Sequence, residues 1–170
     1  MAISTPKKGR IAIIGASGYG GLQLVKLINE HPNFEISTLN GERSVGKSWN
    51  EINPFMKIFG DKKISKSNID EIAQDSDYAI LSLPNGLSSQ LTPLLLEKGI
   101  KVLDLSADYR FKSLDKWKEV YTKEAAKYKR YDHELCEEAI YGFSEEFSRE
   151  ISKTSPYFFC FADVNFKAFL

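Results

Sequence analysis

Cysteine is nearly absent. Cys136 and Cys160 are the two in 170 residues, which excludes a secreted scaffold stapled by disulfides. Charge of one sign is lacking too: Lys and Arg number 23, Asp and Glu 23, mixed along the chain. The basic face of a nucleic-acid module is therefore missing. The longest unbroken apolar run, Tyr157 to Ala162, falls far below the roughly 18 residues that suggest a membrane span. Behind the basic pair of the opening MAISTPKKGR there is no apolar segment of the kind a secretory signal carries. Histidine is limited to His31 and His133, and no metal centre is expected. These absences predict a cytoplasmic chain with a small-molecule ligand and no nucleic-acid or membrane partner. What is present is apolar residue, 42% of a chain of 170. That length buries about two-thirds of its surface on folding and suits one self-standing domain.

Neither an internal repeat nor a low-complexity stretch interrupts the pattern. Arg10–Ile14 (RIAII) is a short apolar run ending at glycine, the signature of a fully buried parallel strand. A glycine-rich turn, Gly15–Gly21, follows. Leu22, Val25, Leu27 and Ile28 then recur at helical spacing until Pro32 blocks continuation. Phe34–Leu39 is a second strand, completing a unit of about 30 residues, the size of one βαβ motif. Further along, Ile69–Ala73 is predicted as a helix capped by Asn68, and Tyr78–Leu83 as a strand stopped by Pro84. Ser88–Glu97 is predicted as a helix closed by Lys98-Gly99, and Ile100–Leu105 as a strand. Asp115–Lys127 and Glu134–Ile140 follow as helices, and Tyr157–Ala162 as a last strand. Strands alternating with helices imply an α/β, doubly wound, mostly parallel sheet.

The chemistry gathers at the strand ends. Gly15, Gly18 and Gly21 stand at GxxGxxG spacing. The first serves a tight turn, the second a close approach of backbone to a pyrophosphate, and the third tight helix–strand packing. Helix N–H groups and the helix dipole then favour phosphate. After a clean strand and before a helix, this predicts a Rossmann-type dinucleotide site. No acid ends the second strand. In the loop beyond it Glu42 could take a ribose hydroxyl, while Arg43, Ser44 and Lys47 offer charge and donors for a phosphate; the loop favours NADP over NAD. Pro84, Asn85 and Gly86 lie just past a third strand, on the rim where open α/β sheets bind ligands. So does Asp104-Leu105-Ser106-Ala107-Asp108-Tyr109-Arg110. Two readings of that segment stay open. Its acids could cap local turns, or Arg110 could form a fork for an anionic substrate.

GASGYGG, NGERSVGKS, SLPNG, VLDLSADYRF and AIYGFSEE occur in this order, and together they resemble the N-acetyl-gamma-glutamyl-phosphate reductases of the semialdehyde-dehydrogenase group. The resemblance runs from about Arg10 to Lys153 and covers that family's cofactor domain. It implies NADPH-dependent reduction of an acyl phosphate to a semialdehyde in arginine biosynthesis, by a whole enzyme that is a homo-oligomer. It assigns Gly15, Ser17, Gly18, Tyr19, Gly20 and Gly21 to the cofactor phosphates, and Arg43 and Ser44 to the 2′-phosphate. Pro84, Gly86 and Ser106 fall beside the cofactor, and Arg110 faces the substrate. Gly20 departs from the family's usual Thr, and Asn85 from its usual His.

The family's catalytic Asn-Pro-Gly-Cys does not follow the last strand. Cys160 lies near that place among bulky apolar neighbours, which predicts an inert thiol. Cys136, amid carboxylates, reads as a packing residue. Catalytic residues are thus unassigned, and the resemblance divides the chain into an N-terminal arm (1–9), a cofactor domain (10–154) and a divergent aromatic tail (155–170). The expectation is a shortened chain that binds cofactor but lacks the catalytic half. Two alternatives remain: a non-catalytic NADP-binding module, and a relative of aspartate-semialdehyde dehydrogenase.

Overall fold

Apolar alternation along the first strand decides the layering. In the computed structural model, which describes residues 8–57, 59, 61–130, 132–141 and 158–160, β1 (Gly9–Ile14) is buried from Ile11 onward. Ile11 and Ile13 pack into one apolar cluster with Leu24, Ile28, Leu39 and Trp49. Ala12 and Ile14 pack into another with Ile72, Leu95, Val102 and Trp117. A strand with both faces covered is what a doubly wound sheet requires.

The strands run β1, β2 (Phe34–Asn40), β3 (Tyr78–Leu81), β4 (Lys101–Asp104), β5 (Ile140–Tyr141) and β6 (Phe158–Cys160). They form a six-stranded sheet in the order β2-β1-β3-β4-β6-β5, and every pairing is parallel. The register between β1 and β2 shifts between Ile11 and Ala12. Arg10 fixes the foot of the sheet: Nη2 and Nε donate to Asp77 Oδ1 and Oδ2 at 3.0 and 3.2 Å, joining β1 to the start of β3. From β1 the chain steps outward to β2, then returns across β1 to β3. This reversal opens a crevice at the carboxyl ends of β1 and β3.

The helices are α1 (Tyr19–Asn29), α2 (Trp49–Ile52), α3 (Ile69–Asp75), α4 (Ser88–Glu97), α5 (Leu114–Val120), α6 (Thr122–Lys127) and α7 (His133–Glu138). Asn68 caps α3 as the sequence predicts, its Oδ1 accepting from Asp70 and Glu71 N–H groups. Other expectations need correcting. The strand expected over Tyr78–Leu83 ends at Leu81, and the one expected over Ile100–Leu105 spans Lys101–Asp104, because the chain there turns into the rim loops. The helix expected over Asp115–Lys127 is two, broken at Tyr121 with φ −105° and ψ 55°. Ile140 belongs to β5 rather than to the last helix. The short α2 was not anticipated. Gly9, assigned to an arm, pairs with Phe34 in the sheet. Phe158–Cys160, assigned to the tail, is hydrogen-bonded between β4 and β5. The remainder of that tail, and the Gly142-Phe143 part of the AIYGFSEE motif, lie outside the described residues.

Candidate functional site

Gly15 ends β1 at φ +91°, a backbone that side-chain-bearing residues rarely adopt. A Cβ there would also run into the Ser82 carbonyl. Its N–H and that of Ala16 both donate to Asn40 O, at 2.8 and 3.0 Å, so the ends of β1 and β2 are tied together. Gly18 is the N-cap of α1, extended at φ −80° and ψ 170°, with no side-chain cap and no acid in the first turn. The positive end of an 11-residue helix is thus left open to an anion. At Gly21 a Cβ would strike Gly15 O and come within 2.6 Å of Ala16 Cα. Gly15 serves the turn and Gly21 the packing, as their spacing predicts.

They border a cleft of about 410 Å³ in the crevice between β1 and β3. Gly15, Ser17 and Gly18 line it from the glycine turn, and Gly41, Glu42 and Arg43 from the loop after β2, with Ser67 from the segment before α3. Ser82, Leu83 and Pro84 follow β3, and Leu87, Gln90 and Leu91 come from the start of α4. Of the residues expected to bind cofactor, Gly15, Ser17, Gly18, Arg43 and Pro84 line this space. Ser44 is not among them; its carbonyl instead accepts from Lys47 N–H in the turn after β2. Tyr19 projects into solvent, 84% exposed. Gly20 and Gly21 sit behind the mouth, in the first turn of α1. Ser67, Ser82, Leu87, Gln90 and Leu91 were missed: Ser82 enters from the end of β3, Leu87, Gln90 and Leu91 from the start of α4, and Ser67 from the segment before α3, a convergence that one-dimensional spacing does not reveal.

The rim loops are held by a buried polar lattice. Asn85 Oδ1 accepts from Ala107 N–H at 3.0 Å. Gly86, at φ +89°, donates its N–H to Asp108 Oδ1 at 2.6 Å, and Ser89 donates to Asp108 Oδ2 at 2.9 Å. Asp108 thereby caps α4 from a distant segment. Ser106 is consumed internally: its N–H and hydroxyl donate to Asp104 at 2.9 and 2.7 Å, and its oxygen accepts from Asp108 N–H. Of the two readings of this segment, the turn-capping one describes what Asp104 and Asp108 do. Arg110 directs Nη1 at the Tyr121 hydroxyl, 3.2 Å away, beside α5 and α6 and not among the cleft residues.

Burial pushes the Asp104 carboxyl up to about 6, against the opposing Ser106 hydrogen bonds. Burial likewise raises Asp108, opposed by the Gly86 and Ser89 N–H groups. Beneath the lattice Arg130 lies 4.9 Å from the Tyr109 ring centre and 4.5 Å from that of Trp117. It pairs with Asp132 at 2.8 Å and reaches Cys136 Sγ at 3.4 Å. Burial works against the charged form of Asp132, yet the Arg130 bonds hold its carboxyl below the usual range. Cys136 is buried, and burial raises its thiol despite Arg130. It is a packing residue, as expected. The burial expected of the Cys160 side chain lies outside the described residues.

Among the described residues no three His, Cys, Asp or Glu converge to hold a metal, and no helix is long and apolar enough to cross a membrane. Over 154 residues the chain is 92% identical to the N-acetyl-gamma-glutamyl-phosphate reductase of Prochlorococcus marinus (strain NATL2A), covering 91% of this chain and 43% of that protein. It is 51% identical over 143 residues to the reductase of the same name from Synechococcus sp. (strain CC9605), covering 84% of this chain and 40% of that one. The chain thus spans about two-fifths of the length of these relatives. In fold it is similar to aspartate semialdehyde dehydrogenase with NADP from Candida albicans, with a TM-score of 0.62 at 16% identity over 91% of this chain and 42% of that one. The Vibrio cholerae aspartate semialdehyde dehydrogenase II complexed with ASA gives a TM-score of 0.61 at 20% identity, over 92% and 42%. The family described as semialdehyde dehydrogenase, NAD binding domain, matches residues 10–154. The chain belongs to the semialdehyde dehydrogenase family through this NAD-binding domain.

Proposed function

We propose that this chain is the NADP(H)-binding part of an N-acetyl-gamma-glutamyl-phosphate reductase of arginine biosynthesis, acting in the cytoplasm on a small acyl phosphate. The observation that carries the reading is the cleft, lined both by Gly18 at an uncapped helix end and by Arg43 from the loop after β2. The residues fit the dinucleotide. Backbone N–H groups at the start of α1 suit its diphosphate, and Arg43 suits a 2′-phosphate by charge and fork geometry. Ser17 sits beside Gly18 as a further donor. Leu83, Pro84, Leu87 and Leu91 add apolar surface to the cleft. When bound, NADPH supplies the hydride. The lattice on Asp104 and Asp108 holds the rim loops in place, and Pro84 stands at the cleft while Gly86 anchors its loop to Asp108.

Reduction of an acyl phosphate needs a nucleophile to displace phosphate. Cys136 does not line the cleft and burial raises its thiol, so the complete reaction is assigned to a longer reductase and not to the residues described. In that reductase Arg110 is the candidate for the substrate's anionic group, and self-association into a homo-oligomer is expected. Calorimetric titration of the chain with NADPH and NADH tests the cofactor claim. NADPH is expected to bind at least tenfold tighter, about 1.4 kcal/mol, and Arg43→Ala to shrink that gap to two- or threefold. Equal affinities in the unaltered chain would overturn the 2′-phosphate assignment.

A further inference from the structure

One hydroxyl on the wall of the cleft belongs neither to the glycine turn nor to the loop after β2. Ser82 is the first residue beyond β3. Its backbone is locked, since its N–H donates to Ile14 O at 2.8 Å and its carbonyl sits where a Cβ on Gly15 would go. Its side chain is aimed at the first turn of α1. Ser82 Oγ lies 2.5 Å from the point a Cβ on Gly20 would occupy, and Ser82 Cβ lies 3.7 Å from it. A Cβ on residue 20 would require that hydroxyl to rotate away from the turn. Ser82 also lines the cleft, and among the described residues its hydroxyl makes no hydrogen bond. A donor is therefore held over the helix turn whose own N–H groups lack partners.

We infer that the Ser82 hydroxyl donates a hydrogen bond to the diphosphate of a dinucleotide seated at the start of α1, and that Gly20 is glycine to leave this hydroxyl its place. The inference rests on the cofactor reading above and adds a residue to it. A hydroxyl bonded to an anion is charge-assisted and stronger than a neutral pair, and the helix end supplies a field of the same sign. Because the diphosphate is common to NADPH and NADH, Ser82 serves both alike, whereas Arg43 separates them.

Calorimetric titration of Ser82→Ala, Gly20→Ala and the double variant with NADPH and NADH decides the matter. Ser82→Ala is expected to weaken both dinucleotides about tenfold, leaving their ratio and the thermal midpoint unchanged. Gly20→Ala, whose methyl group takes the hydroxyl's place, is expected to cause the same loss. The double variant is then expected to lose no more than either single one, the non-additivity of two changes acting through one group. Unchanged affinity in Ser82→Ala, a loss confined to NADPH, losses that multiply in the double variant, or a matching fall in thermal midpoint would each overturn the assignment. Failure of the unaltered chain to bind either dinucleotide would overturn the cofactor reading itself, a result distinct from all of these.

Discussion

At Gly21 one added methyl group meets backbone on two sides, Gly15 O and Ala16 Cα, and backbone cannot rotate away as a side chain can. Gly21→Ala is expected to cost roughly 1–3 kcal/mol, the range for overpacking, and to weaken dinucleotide binding because the displaced atoms form the turn. Gly46 makes the contrast: its φ is +82°, yet nothing lies within 4 Å of a Cβ there. Gly46→Ala is expected to cost about 1 kcal/mol of strain with binding intact. Urea denaturation paired with NADPH titration separates the two.

Asp104 gives a pH signature at the same scale. Its folded value of about 6 lies above the ordinary 3.8, so the folded state holds the proton more tightly than the unfolded one. That contribution is fully present below pH 3.8 and is lost as pH rises through 6, on the order of 3 kcal/mol in all. Asp108, raised as well, adds in the same direction. Asp132, lowered, loses its contribution only as pH falls below the ordinary carboxylate range. Thermal midpoints measured from pH 4 to 6.5 are expected to fall, and to fall less in Asp104→Asn. An identical slope in that variant would place the effect elsewhere.

Single residues were readable in the sequence where local backbone geometry fixes the residue type. Gly15, at positive φ, and Gly21, hemmed in by backbone, are of that kind. Ser106, set beside the cofactor by the resemblance alone, has bonds that only the fold reveals: Asp104 takes both its donors. Ser67 carried no local signal, and Ser82, though inside the SLPNG motif, was not singled out, because both reach the cleft only through the fold.

Elements obey local rules until a tertiary contact outweighs them. The helix pattern from Asp115 to Lys127 is unbroken in sequence, yet Tyr121 interrupts it. The Tyr121 ring lies 5.7 Å from Trp117 and 6.4 Å from Phe111, and its hydroxyl meets Arg110. Those contacts favour a break that helix propensity opposes. The opposite lesson comes from α2. Ser48 and Glu51 form a reciprocal capping box, a Ser-x-x-Glu signal that is present in the sequence, but the helix is a single turn with no periodicity to flag it. The start of α4 depends on a distant segment. Asp108→Ala removes the acceptor for Gly86 and Ser89 N–H groups, both of buried residues, and is expected to cost roughly 2–3 kcal/mol. Hydrogen exchange is expected to quicken first at Gly86 and Ser89. Unaltered protection there would mean that α4 is capped by other means.

For the whole molecule, the sheet is both partition and bond between two apolar layers. Trp49 belongs to one layer and Trp117 to the other, each fully buried. Because β1 contributes side chains to both, the layers are expected to unfold together. Variants keeping only one tryptophan (Trp117→Phe and Trp49→Phe) are expected to report coincident urea midpoints once each is referred to its own circular dichroism transition. Separate midpoints would show the layers to be independent. The architecture was readable because strand and helix periods alternate with little ambiguity, whereas strand order was not, since nothing in a run such as Phe158–Cys160 names its neighbours.

The clamp at the foot of the sheet has a consequence in time. Arg10 and Asp77 stand 67 residues apart in sequence, and among the described residues no strand pairing in the sheet is antiparallel, so none of these strands closes through a short hairpin. On the ribosome β1 emerges first and must wait for β3, about 3 to 13 seconds at ordinary elongation rates. Throughout that interval the face of β1 that carries Ala12 and Ile14 lacks Leu95, Val102 and Trp117, which lie further along the chain. The nascent chain is therefore open to misassociation at a strand that later has both faces covered.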